Sequence, residues 1–190
     1  MYISRGNRKV KCNIFNLPTG ITCKKSCKFC YARKAEQLYP EVLPSRHRNL
    51  LASKKDNFVV DMIDILLTRR NKVVRIHESG DFYSIDYINK WYDIAESLPD
   101  RTFYAYTKRD DLFNQDLLDK RSKNFILIWS HDKIDDVRHS IPAGYDKMAS
   151  ITTNEKIVNC PSQTKNKVCV KQCKKCCSKK SSKEIVFLLH

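Results

Sequence analysis

The feature that most constrains this chain is a recurring unit: a short β-branched or aromatic run, a polar break, then a stretch of helical periodicity. Val73-Val-Arg-Ile-His77 ends in Glu78-Ser79-Gly80-Asp81, after which Ser84 can cap a helix carrying Ile85, Ile88, Trp91, Tyr92 and Ala95. Leu98-Pro99-Asp100 turns the chain. The unit then recurs as Thr102 to Tyr106 with Thr107-Lys108-Arg109 at its end, a helix from Asp110 to Arg121, and Phe125 to Trp129 followed by Ser130-His131. Upstream, Cys12 to Leu17 reads as a strand stopped by Pro18-Thr19-Gly20, and Tyr31 to Tyr39 as a helix. Beyond breaks at Pro40 and Pro44, Ser53 to Arg70 reads as a longer helix, with Phe58, Met62, Ile63 and Leu66 at helical spacing. Met148 to Ile151 and Glu184 to His190 supply a fifth and a sixth strand.

Such alternation predicts parallel strands joined by right-handed crossover helices. Six units are too few for the closed eight-stranded barrel. The expected fold is therefore α/β, an open partial (β/α)6 barrel of parallel strands, with 190 residues in one domain. In such folds function sits at the carboxyl ends of the strands. The loop after the first strand, Ser79-Gly80-Asp81, Tyr106-Thr107-Lys108, Ser130-His131 and Thr152-Thr153 should then face one cavity. The chain has four glycines and neither G-x-G-x-x-G nor a P-loop run, so nothing supports a Rossmann dinucleotide site or a phosphate cradle.

The loop after the first strand carries Cys23-Lys-Lys-Ser-Cys27-Lys-Phe-Cys30. Three thiols this close favour a metal. Iron–sulfur clusters are usually held by four cysteines, so a local set of three leaves one iron without a protein ligand, as catalytic zinc keeps an open position. The alternatives are zinc or unrelated thiols, and the usual zinc pattern of two paired cysteines is absent from this loop. A second set lies before the last strand: Cys160-Pro-Ser-Gln, then Cys169-Val-Lys-Gln-Cys173-Lys-Lys-Cys176-Cys177. Cys160, Cys169, Cys173 and Cys176 supply four ligands and suit a closed site, either an auxiliary iron–sulfur cluster or zinc. Cys177 is left over, and Cys12 reads as an inert strand residue.

Lys plus Arg number 36 against 21 Asp plus Glu, a formal charge of +15, which favours polyanionic partners. The nine cysteines are clustered and no secretory signal precedes them, so they read as metal ligands in a reducing cytoplasm and not as disulfides. No apolar run reaches membrane-spanning length. A cytoplasmic monomer without a membrane segment is the expectation.

With these residues in hand, nearly the whole chain resembles a short radical S-adenosylmethionine protein of the phage-associated gene product 88 family. The likeness rests on Cys23, Cys27 and Cys30-Tyr31-Ala32, on Arg75-Ile-His-Glu-Ser-Gly-Asp-Phe82, on Phe103-Tyr-Ala-Tyr-Thr107, on Cys160-Pro-Ser-Gln163 with the later cysteines, and on Phe187-Leu-Leu-His190. The resemblance implies that Cys23, Cys27 and Cys30 hold a 4Fe–4S cluster whose open iron chelates S-adenosylmethionine. Reduction would split that cofactor into methionine and a 5′-deoxyadenosyl radical. It also implies that Ser79, Gly80 and Asp81 hold the cofactor's amino group, although Glu78-Ser-Gly-Asp81 departs from the superfamily's common Gly-Gly-Glu. Thr107-Lys108 and Ser130 are candidates for its ribose and carboxylate. Tyr104, Tyr106, His77, His131 and Lys108 are candidates for substrate contact or a second hydrogen transfer. A low-potential flavodoxin or ferredoxin would supply electrons.

A nucleic acid or nucleotide substrate follows from the charge, with Tyr104, Tyr106 or Trp129 able to stack on a base. On this reading the basic arm and the second cysteine set flank the cavity mouth. The competing class is a non-catalytic module stapled by zinc at both cysteine sets, binding nucleic acid through its lysines.

Overall fold

The computed structural model describes residues 2–24, 27, 30–136 and 140–189. Phe29 and His190, both named above, lie outside the described residues. Six parallel strands form one sheet in sequential order: β1 (Asn13–Phe15), β2 (Val73–Ile76), β3 (Thr102–Thr107), β4 (Phe125–Ile134), β5 (Lys147–Thr152) and β6 (Glu184–Leu188). The sheet is open, since β1 and β6 are its two edges. Sequential parallel strands with crossovers of one hand place their connecting helices on a single face. Among the described residues no helix is long and apolar enough to cross a membrane.

Strand alternation sorts the side chains. Phe15, Val74, Ile76, Phe103, Ala105, Phe125 and Leu127 point into a core shared with α3 (Phe58–Leu67), α4 (Ile85–Ser97) and α5 (Gln115–Asp119). Trp91 is fully buried there, edge-on to Phe15 at 5.5 Å and to Phe58 at 5.7 Å. Ser84 caps α4 as expected, accepting from the Tyr87 N–H at 3.2 Å. The opposite face presents Ile14, Tyr104, Ile126, Ile128, Ala149 and Ile185, and is covered by Val10 and Cys12 of the arm and Val170 of the cysteine-rich segment.

Three boundaries differ from expectation. The helix expected over 53–70 is the shorter α3, and a separate helix, α2 (Val42–Ser53), precedes it across the exposed stretch 54–57 that has nothing to bury. Pro44 does not break α2, because it sits in the first turn, where a missing N–H costs no intrahelical bond. The helix expected from Asp110 begins only at Gln115, because Asn114 caps it by accepting from Leu117 N at 2.9 Å. β4 continues past Trp129 to Ile134 through a register shift against β5 between Ser130 and Ile134.

Both sheet edges are covered, which removes unpaired edge groups from solvent. Ser4 of the arm bridges Ile14 in antiparallel fashion. At β6, the Asn159 side chain accepts from Val186 N at 2.9 Å, and Gln163 accepts from Leu188 N at 2.9 Å while donating back to Leu188 O at 3.2 Å. The segment between β5 and β6, which carries Cys160 to Cys177, is thus fastened to the last strand by side-chain amides.

Candidate functional site

A cavity of about 1020 Å³ opens over the carboxyl ends of the strands. It is bordered by Cys23, Cys27 and Cys30 from the loop after β1, and by Cys160, Cys169, Cys173 and Cys176 from the segment before β6. The two cysteine sets therefore face one space from opposite sides of the sheet.

The first loop is held by its neighbours. Glu36 of α1 (Tyr31–Leu38) accepts from Thr19 N at 2.9 Å and pairs with Arg46 of α2 at 2.7 Å, pinning the turn before the cysteines. The Asn16 side chain accepts from the N–H groups of Glu78 and Ser79 at 2.7 and 3.0 Å, and the Ser79 hydroxyl donates to Leu17 O at 2.9 Å. Thr22 donates to Pro18 O and accepts from Asp81 N at 3.2 Å. Gly80 has φ +80, and a Cβ there would fall 2.6 Å from the Leu17 Cβ and 2.7 Å from the Thr22 hydroxyl, so only glycine fits this join.

Asp81 extends the join to β3. One carboxylate oxygen accepts from the Thr107 hydroxyl at 2.7 Å and Phe82 N at 2.8 Å, and the other from Lys108 N at 2.9 Å. Burial raises its pKa to about 6, opposed by these donors. Lys108 then points its ammonium at the Cys27 sulfur, 3.4 Å away. One chain of contacts thus runs from the β1 loop through the β2 end to the β3 end and back to a thiol.

The residues predicted to hold cofactor all border the cavity, yet several polar groups among them are already used. The Ser79 hydroxyl, the Asp81 carboxylate and the Thr107 hydroxyl join strand ends, Thr107 also accepting from Arg109 N at 3.0 Å. Ser130 differs, presenting a half-buried hydroxyl to the cavity with no partner among the described residues.

Of the residues predicted to contact substrate, Tyr106 and Lys108 border the cavity with usable heads. Tyr106 lies under the Arg75 guanidinium, 5.4 Å from its ring centroid, and burial pushes its phenol well above the ordinary range. His77 borders the cavity as well, but its ring is engaged elsewhere. Its φ of +66 turns the chain at the strand end, and its ring packs among Phe82 and Tyr87, with Nε2 2.9 Å from the Tyr87 hydroxyl. Burial, aided by Arg75, lowers its pKa to about 3, so the imidazole is neutral and committed to the core. His131 is absent from the cavity lining among the described residues; it stacks at 5.1 Å on Trp129, which does line the cavity, and pairs with Asp136 at 2.8 Å.

Arg75 was not singled out as a site residue, although its position in Val73-Val-Arg-Ile places a cation on the same face as Tyr104 and Tyr106. That alternation was the available signal.

Among the described residues no three Cys, His, Asp or Glu side chains are drawn together as a metal group. The donor chemistry nevertheless suits one. Burial raises the Cys23 thiol, and the nearby Asp81, Cys27 and Cys30 push it the same way, so a cation at this loop would relieve crowded negative charge. Burial likewise raises the Cys160 thiol, with Cys169 and Cys173 adding to it, and pushes the Cys176 thiol to about 12 against the Tyr106 hydroxyl and Arg75.

Fold and site together define an open parallel α/β protein with a strand-end cavity ringed by two thiol sets. The family model for gene product 88 matches residues 3–186, and the chain belongs to that family. No curated protein and no solved structure matches it.

Proposed function

We propose that this protein is a radical S-adenosylmethionine enzyme acting on a polyanionic substrate, a nucleotide or nucleic acid. The observation that carries the reading is the placement of Cys23, Cys27 and Cys30: three thiols on the loop directly after β1, bordering the cavity at the carboxyl ends of an open parallel sheet. These thiols would hold a 4Fe–4S cluster, which when bound supplies an electron to S-adenosylmethionine and so a 5′-deoxyadenosyl radical.

The chain's own residues position and shield. Asp81, Ser79 and Gly80 lock the cysteine loop to the ends of β2 and β3. Lys108 offsets thiolate charge at Cys27. Ser130 offers a hydroxyl to a cofactor or substrate oxygen, and Tyr106 offers a buried phenol whose proton stays in place at neutral pH. The lining carries Lys9, Lys24, Arg75, Lys108, Lys133 and Lys175 against Glu78, Asp81 and Asp110, which favours an anionic substrate. Cys160, Cys169, Cys173 and Cys176 would hold a second cluster or zinc on the far wall. A flavodoxin or ferredoxin would deliver the electron.

The test is anaerobic reconstitution with iron and sulfide, followed by mass spectrometry for 5′-deoxyadenosine and electron paramagnetic resonance of the reduced protein with and without S-adenosylmethionine. The expected result is 5′-deoxyadenosine formation and a cofactor-dependent spectral change, both lost when Cys23, Cys27 and Cys30 are replaced by Ala. A colourless, zinc-loaded protein that forms no 5′-deoxyadenosine would overturn the reading.

A further inference from the structure

The arm divides between two spaces: Asn7, Lys9 and Val10 border the strand-end cavity. Arg5, Arg8 and Lys11 line a second cleft, of about 780 Å³, together with Arg69, Arg70 and Lys171. The two spaces share only Asn7 among their lining residues. The second cleft lies at the amino ends of β1 and β2, where Asn13 begins β1 and Asn71 precedes β2.

Six cations and no carboxylate line it, and no aromatic side chain does. The cations come from three segments far apart in sequence, and a buried brace holds two of them together. Asn71 donates to Lys11 O at 2.8 Å, and the fully buried Arg101 donates to Asn71 O at 3.0 Å and to Arg69 O at 3.3 Å. Asn13 adds a 2.7 Å bond to the Asn71 carbonyl. Lys171 arrives on the turn whose Cys169 N–H donates to Lys9 O at 2.9 Å. Arg5, Arg8, Lys11, Arg70 and Lys171 are exposed and make no ion pair among the described residues, and the Arg69 Nε is buried without a partner among them. Like charges fixed this close repel one another, and a multivalent anion relieves that repulsion.

We propose that this cleft binds the phosphodiester backbone of a nucleic-acid strand, at a site distinct from the strand-end cavity. Without an aromatic platform it grips phosphates and reads no bases, so it supplies affinity and register and not sequence choice. None of its lining residues belongs to the Cys23–Cys30 loop, so its failure would leave the proposed radical chemistry standing, and the reverse also holds.

The experiment measures binding of a fluorescent single-stranded DNA oligonucleotide to the full-length protein across a salt series. Phosphate contacts by six cations give a slope of log K against log salt near about −4. The variant Arg5→Gln, Arg8→Gln, Lys11→Gln, Arg70→Gln should bind at least ~30-fold more weakly with a slope smaller by about 3. Removing the same charge at exposed Lys54, Lys55, Lys120 and Lys123 should change affinity less than about threefold. A double variant, Arg70→Gln with Lys171→Gln, leaves the arm intact and should still lose affinity by ~5-fold or more. No binding at low salt, or equal losses in the cleft and control variants, would overturn the proposal. Displacement of the strand by tripolyphosphate at matched phosphate concentration would also overturn it, in favour of a small polyphosphate.

Discussion

The two faces of the sheet are built on different physics. The helix-covered face is a dry aromatic stack, with Phe15, Phe58, Trp91 and Phe103 meeting mostly edge-on and almost wholly buried. The concave face carries Tyr104, Tyr106, Arg75 and thiols beneath an arm and a cysteine-rich segment of little regular structure. Residues of opposite parity on the same strands thus serve opposite ends: Phe103 and Ala105 pack in the helix-face core, while Tyr104 and Tyr106 face the cavity. The lesson is that the helix face holds the larger apolar core, and the concave face, with a smaller one, carries polar and ligating groups that would weaken an ordinary core.

The largest effect should come from the cover of the concave face. If Cys160, Cys169, Cys173 and Cys176 bind metal, that binding contributes to folding on the order of 10 kcal/mol, as structural zinc does. Replacing Cys169 and Cys173 by Ser should therefore expose the segment 155–183 to hydrogen exchange and proteolysis, while the helix-face core keeps its protection. The Cys169 amide, bonded to Lys9 O, is the probe to follow by mass spectrometry. Unchanged protection of that amide would break the contrast.

Next in size is the helix face itself. Trp91→Ala removes a fully buried ring touching Phe15, Phe58, Tyr87 and Phe103, and should cost about 3–5 kcal/mol in urea unfolding. Iron content per folded molecule should not change.

Much of the fold was legible, because Val73 to Ile76, Thr102 to Thr107 and Phe125 onward each carry a strand pattern closed by a polar break and a capped helix. The strand-end rule then placed the cysteine loop, Asp81, Lys108 and Ser130 around one cavity before any coordinates. What could not be read was which polar groups are used internally. Ser79, Asp81 and Thr107 look alike as strand-end polar residues, and only three-dimensional contacts show that Ser79 bonds to Leu17 O while Thr107 bonds to Asp81. His77 borders the cavity, but its positive φ accompanies a ring packed among Phe82 and Tyr87, which no sequence pattern announces. The basic arm divides for a topological reason: beyond its bridge to β1, Lys9 borders the strand-end cavity while Arg5 and Arg8 line the cleft at the amino end of the sheet.

A smaller, pH-dependent effect separates the faces again. The Asp81 pKa in the folded state, about 6, lies above its unfolded value near 3.8, so the stability it favours is present below about pH 3.8 and lost as pH rises through 6. That loss reaches about 3 kcal/mol. Asp81→Asn should remove that fall between pH 4 and 6 in urea titrations and leave stability rising with pH over the same range, apart from a pH-independent offset for the weakened bond to Lys108 N. His77 acts with the opposite sign: its stabilisation is present above about pH 6.5 and is lost as pH falls toward 3. A slope that persists unchanged in Asp81→Asn would place the titrating group elsewhere.

The smallest effect sharpens the contrast because it touches one face alone. Ser84 satisfies the Tyr87 N–H at the start of α4, and Tyr87 in turn stacks on Tyr83 at 4.6 Å and holds the His77 ring. Removing the cap frees one N–H of the first turn and should cost about 1 kcal/mol in Ser84→Ala. The loss should appear as a lower urea midpoint with an unchanged slope, because no new surface is exposed in either state. Among the described residues the cysteine loop reaches α4 through the β2 end. Protection of the Leu17 amide, which donates to Ser79 O at 3.0 Å, should therefore fall only in step with global stability. Selective loss of protection at Leu17 would show that the aromatic face and the thiol loop open as one unit, and the division between a load-carrying face and a chemical face would fail.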